Sequence, residues 1–179
     1  MKRFITMLAL AAIGLGAVQC ADAPQKKTLV AYFSATGTTR AVAEKLAAEL
    51  GADLYEITPE VAYTADDLNW RDSLSRSSVE MRDKSSRPAV DGTVTNIDDY
   101  DTVYIGFPIW WNLAPTVINT FIESNDLTDK LLVVFATSGG SDVGNSWLEL
   151  RAAYPNLKWA EAALLLNDFD PSQIELPAK

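Results

Sequence analysis

The chain has 179 residues, 48% of them hydrophobic, with 24 acidic and 15 basic side chains, one cysteine and no histidine; this suits one domain with a sizeable core. The absences exclude His-based triads, histidine or thiolate metal centres, cysteine-held iron–sulfur clusters and disulfides, so any redox chemistry needs an organic cofactor. A formal charge of −9 makes nucleic acid a poor partner.

Lys2 and Arg3 precede an uncharged, mostly apolar stretch from Phe4 to Val18. That is the grammar of a secretory signal, too short for a spanning helix of about 20 residues. The lone Cys20 in "LGAVQC" predicts a signal over residues 1–19, a mature chain beginning at a lipid-modified Cys20, and a polar tether over residues 20–27. Ordinary cleavage near Ala21 or Ala23, or an uncleaved anchor, is the alternative. Losing Lys2 and Arg3 takes the formal charge from −9 to −11. Such a surface suits a basic protein partner, or simply solubility. The expected location is exported and membrane-anchored, on the periplasmic or cell-surface side, with the lipid as the only membrane contact.

Residues 28–179 read as one domain. "TLVAYF" (Thr28 to Phe33) is a continuous apolar run, the pattern of a strand buried on both faces of a parallel sheet. Arg40 to Leu50 has helical spacing with Gly51 as its stop. "DLYEI" (Asp53 to Ile57) predicts a short strand, Ala65 to Asp83 a polar helical segment, and "TVYIGF" (Thr102 to Phe107) a second buried strand. A helix from Pro115 to Ser124, the strand "LLVVFA" (Leu131 to Ala136), a helix from Asn145 to Tyr154 and a last strand "AALLLN" (Ala162 to Asn167) follow. Strands alternating with helices specify an α/β sheet with parallel strands and right-handed crossovers. The tail "DFDPSQIELPAK" is too short for a full closing helix.

In an open parallel sheet, ligands bind beyond the carboxyl ends of the strands. Three segments occupy those ends: "SATGTTR", "PIWWNLAP" and "TSGGSD". The first combines small residues and the hydroxyls of Ser34, Thr36, Thr38 and Thr39 with a helix N-terminus, which suits a terminal phosphate held by neutral donors. It has no lysine and one glycine, so it is neither GxxxxGK[ST] nor GxGxxG. The same residues would also serve as a plain turn and helix cap. Trp110 and Trp111 are adjacent, so an extended chain cannot point both into one core face; one is left for the surface or a flat ligand. The glycines of the third segment permit close approach of a ligand to the backbone.

"YFSATGTT", "PIWW" and "FATSGGS", in that order, resemble the flavodoxins, and within them a branch that includes bacterial lipoproteins. The resemblance covers Thr28 to Leu166. It implies a three-layer sandwich with a five-stranded parallel sheet of order 2-1-3-4-5, a truncated last helix, and flavin mononucleotide (FMN) as cofactor. It places the phosphate at Ser34, Ala35, Thr36, Gly37, Thr38 and Thr39. Pro108, Ile109, Trp110, Trp111 and Asn112 would form the second flavin loop, and Thr137, Ser138, Gly139 and Gly140 would meet the pyrimidine edge through backbone donors. The third loop lacks the aromatic that many flavodoxins place on the outer flavin face. Asp66 to Pro88 also resembles this branch; Trp70, Arg71, Arg76 and Arg82 could shape a rim for substrate or partner, but the balanced charges read as a solvated helix, and no role is assigned there.

The resemblance implies an electron carrier serving a redox protein partner. An FMN-dependent oxidoreductase passing electrons from a nicotinamide to a quinone is the second possibility, and a non-redox phosphate-ester module the third. The sequence has no separate dinucleotide fingerprint, which favours the carrier.

Overall fold

A computed structural model describes residues 27–167. Its elements are β1 (Lys27–Tyr32), α1 (Thr38–Leu50), β2 (Asp53–Glu56), α2 (Arg76–Arg82), a 3-10 turn (Ile97–Asp99), β3 (Tyr100–Pro108), α3 (Val117–Ser124), β4 (Leu131–Thr137), α4 (Gly144–Ala153), β5 (Lys158–Trp159) and β6 (Leu164–Leu165). Every pairing is parallel, in the order β2-β1-β3-β4-β5, with β6 also on β4. The signal segment, Cys20, nearly all of the tether and the short closing tail lie outside the described residues.

Period-two alternation divides the buried strands between two cores. Leu29, Ala31, Val103, Ile105, Leu132 and Val134 face a core with Ile118, Phe121 and Ile122 of α3 and Leu150 of α4. Val30, Tyr32, Tyr104, Val133 and Phe135 face the other, with Val42, Ala43, Leu46 and Ala47 of α1. Both faces of the central strands are therefore dry, and three layers result.

Gly106 leaves room for an aromatic ring from the neighbouring strand. It pairs with Phe135 in register, and a Cβ added at Gly106 would lie 2.0 Å from Phe135 Cζ. The phenyl ring occupies the space that a side chain on β3 would need.

Two expectations are corrected. Ala65 to Asp83 is helical only over Arg76–Arg82, because short polar side chains satisfy the backbone in turns instead. The Asp67 carboxylate accepts from the Thr64 N–H at 2.8 Å and hydroxyl at 2.7 Å, and Asp72 accepts from the Leu74 N–H at 2.8 Å. Helix starts only where Ser75 caps it, accepting from the Ser78 N–H at 3.3 Å. The last strand, expected over Ala162 to Asn167, is paired only over Leu164–Leu165, and an unexpected strand, Lys158–Trp159, precedes it; Ala160 to Ala163 loop out opposite Val133 and Val134, so β5 and β6 form one interrupted edge on β4.

With β2 on one side of β1 and β3 on the other, connections diverge above the carboxyl ends of β1 and β3. The candidate site lies there.

Candidate ligand site at the sheet switch point

The first turn leaves β1 at Phe33, whose N–H donates to the Gly106 carbonyl at 2.9 Å. Gly37, at φ 88°, is the N-cap of α1 and donates its N–H to Ser34 Oγ at 3.1 Å. A side chain there would be strained, so glycine suits the turn. The Thr36 and Thr38 hydroxyls lie 3.4 Å apart on the exposed side. Among the described residues, the N–H groups of Thr36, Thr38 and Thr39 have no protein partner. The first turn of α1 holds no acidic residue, so its dipole faces outward uncompensated. Arg40 pairs with Glu56 of β2. The cradle is thus built of neutral donors, as an anion site without lysine requires.

Thr39 differs from its neighbours. It is fully buried, and its Oγ1 lies 2.8 Å from Thr137 Oγ1 at the end of β4. Its hydroxyl joins the first and third loops, leaving its backbone N–H for a ligand.

The second loop is joined to the third by the Ile109 N–H, which donates to the Thr137 carbonyl at 2.9 Å. Trp110 and Leu113 exchange N–H···O bonds of 3.0 and 2.9 Å around Trp111 (φ 48°) and Asn112 (φ 63°). Two positive φ values in a two-residue connection are the signature of a type I′ turn. The turn separates the adjacent indoles. Trp110 packs edge-on against Phe33, centroids 5.6 Å apart, and against Tyr63 at 5.3 Å. Trp111 stays 45% exposed. Tyr63 is itself held from behind: its hydroxyl donates to Glu80 at 2.5 Å, and the Arg76 guanidinium lies 4.0 Å from its ring centroid. Burial, reinforced by Glu80, pushes the Tyr63 phenol far above its ordinary pKa, so it stays a neutral donor.

In the third loop, Ser138 donates its N–H to Asn167 Oδ1 at 2.6 Å, while its Oγ accepts from Gly140 at 3.1 Å and Ser141 at 2.6 Å. The Gly139 N–H has no protein partner among the described residues. A Cβ added at Gly139 or Gly140 would meet no neighbouring atom within 4 Å.

Ala35 and Thr36 of the first turn and Pro108, Ile109, Trp110 and Trp111 of the second line one cavity of about 430 Å³. Ser34, Gly37, Thr38 and Thr39 complete the turn beside it, and Asn112 is held at the rim by Ser146 Oγ, which donates to its carbonyl at 3.2 Å. The third loop supports this wall through Thr137 without lining the cavity. Leu68, Trp70 and Ser77 line it as well. Sequence reasoning offers Trp70 only as a candidate rim residue and gives no signal for Leu68, Ser77 or Asn167.

An anion cradle and an aromatic cleft meeting at a sheet switch point define an α/β protein built to hold a flat ring with an anionic tail. The flavodoxin family model matches residues 27–176, and the chain belongs to the flavodoxin family. A provisionally named flavoprotein from Bacteroides eggerthii is 55% identical over 83% of this chain and 92% of that one, with a TM-score of 0.80. A second, from Bacteroides uniformis, is 52% identical over 82% and 94%, also at 0.80. A flavoprotein from Lactobacillus acidophilus, solved in complex with FMN, shares the fold at 22% identity over 80% and 95%, with a TM-score of 0.64. No curated protein matches the chain.

Proposed function

We propose that this chain binds FMN and works as an exported electron carrier, tethered by a lipid at Cys20. The observation that carries the reading is the meeting of Thr36 and Trp111 in one cavity of about 430 Å³. That volume lies within the range of small-molecule sites, about 300–1,000 Å³. Family membership and the FMN complex of the Lactobacillus relative support the choice of ligand.

The Ser34–Thr39 turn would take the phosphate through the N–H groups of Thr36, Thr38 and Thr39 and the hydroxyls of Thr36 and Thr38. Trp110 and Trp111 would meet the ring, and the Gly139 N–H would serve its polar edge. Bound flavin supplies one- or two-electron transfer. The chain's part is to anchor the tail without a cation and to cover the ring with indole. The acidic surface fits a basic redox partner.

The decisive preparation is protein purified without added flavin, then incubated with FMN, with visible spectra recorded at each stage. Binding of FMN at micromolar concentrations is expected, and its absence removes the redox reading. Rapid reduction of the loaded protein by a nicotinamide cofactor alone would replace the carrier with the oxidoreductase. Tethering predicts that the mature chain fractionates with membranes and that Cys20→Ser abolishes this. A Cys20→Ser chain that still fractionates with membranes rejects the lipid anchor.

A further inference from the structure

We propose that Trp70 supplies the second aromatic wall of the ring site, from the connection between β2 and α2; this rests on the FMN reading above. A flat ring has two faces, and the second loop offers indoles to the cavity from one chain segment only. The third loop, Ser138 to Asp142, contains no aromatic residue. Trp70 lines the same cavity as Trp111, yet 61% of it is exposed. Of the exposed large hydrophobic side chains among the described residues, only Trp70 and Trp111 line this cavity, so their apolar surfaces converge on one concave site.

Trp70 is also held in place. The Arg71 guanidinium lies 4.2 Å from the centroid of its ring, a cation–π stack that covers one face of the indole and leaves the other. The segment around it is tied down by the Arg71 N–H donating to Asn69 Oδ1 at 3.2 Å and by Ser77, whose hydroxyl donates to the Asp67 carbonyl at 2.6 Å. These bonds order the backbone on either side of Trp70, which reduces what must be ordered when a ring docks.

The test titrates FMN and riboflavin into wild type, Trp70→Ala and Trp70→Phe. Because Trp70 would touch the ring and not the phosphate, Trp70→Ala should weaken both ligands by the same factor, about tenfold. Trp70→Phe should restore most of the affinity. Acrylamide quenching gives an independent reading: FMN should shield a tryptophan in the wild type, and that shielding should shrink in Trp70→Phe. Unchanged affinity of Trp70→Ala for both ligands overturns the assignment while leaving the FMN site intact. A wild type that binds no FMN removes the assignment together with the reading it rests on.

Discussion

Thr39 Oγ1 and Thr137 Oγ1 lie 2.8 Å apart in the interior although 98 positions separate them in the chain. This one bond fixes the start of α1 against the end of β4, and so sets the anion turn relative to the third loop. Thr39→Val leaves the Thr137 hydroxyl buried without a partner, a cost of about 1–3 kcal/mol. Thermal melting should show a drop of several degrees. The double variant with Thr137→Val should recover part of the loss, since both polar groups are then gone. Strictly additive losses would show that the two hydroxyls do not depend on each other.

Trp111 and Asn112 both sit at positive φ, a conformation Asn tolerates but one that costs a residue such as Trp about 1–2 kcal/mol. Trp111→Gly should therefore leave the stability of the ligand-free protein unchanged or improved while weakening FMN binding. Urea unfolding and a flavin titration on the same preparation separate the two effects. Parallel loss of both would assign Trp111 to the core.

Gly106→Ala forces a methyl group into the ring of Phe135. Overpacking between two buried central strands should destabilise the fold by about 3 kcal/mol or more. Phe135→Leu in the Gly106→Ala background should restore part of it, as measured by urea midpoint. No recovery would mean that Phe135 is not the obstructing group.

Glu123 accepts from Arg87 Nε at 2.8 Å, Arg87 Nη2 at 2.9 Å and the Tyr154 hydroxyl at 2.7 Å. Arg87 first, then Tyr154, holds its carboxyl below the ordinary value of 4.5. The pair therefore stabilises the fold above that value and loses its contribution as pH falls through the lower, folded-state value. Glu123→Gln should flatten the acid limb of the stability profile and cost at most about 1 kcal/mol at neutral pH, because both partners are part-exposed and solvent-screened. Burial, with Glu123 adding, pushes the Tyr154 phenol up to about 12. Its contribution should fade as pH rises from 10 towards that value. An acid limb identical in wild type and Glu123→Gln would rule out this linkage.

The architecture was legible where the sequence had little freedom. Continuous apolar runs such as Leu131 to Ala136 can satisfy both dry faces of a sheet only as central strands, and β4 lies there. The divergence of the two tryptophans is legible because adjacent side chains cannot share a face of an extended chain. The means of divergence is not: nothing in "WWN" announces a tight turn with positive φ at tryptophan. The stretch before α2 is ambiguous in sequence because Asp67, Asn69 and Asp72 fit a polar helix surface as well as they fit the turn bonds they make. As a helix the stretch gives no reason for Leu68 to line the cavity, which it does beside Trp70. The link from Thr39 to Thr137 belongs to tertiary structure, and no local spacing encodes it.

The most direct test of the central claim compares FMN with riboflavin in wild type and Thr36→Asp by titration of flavin fluorescence. A carboxylate in the turn meets the phosphate in a site whose other groups are neutral donors, where two like charges about 4 Å apart repel by roughly 4 kcal/mol. The account predicts that wild type prefers FMN, that Thr36→Asp loses FMN affinity by about a hundredfold or more, and that riboflavin binding changes little. Equal losses for both ligands, or no preference for FMN in the wild type, would contradict it.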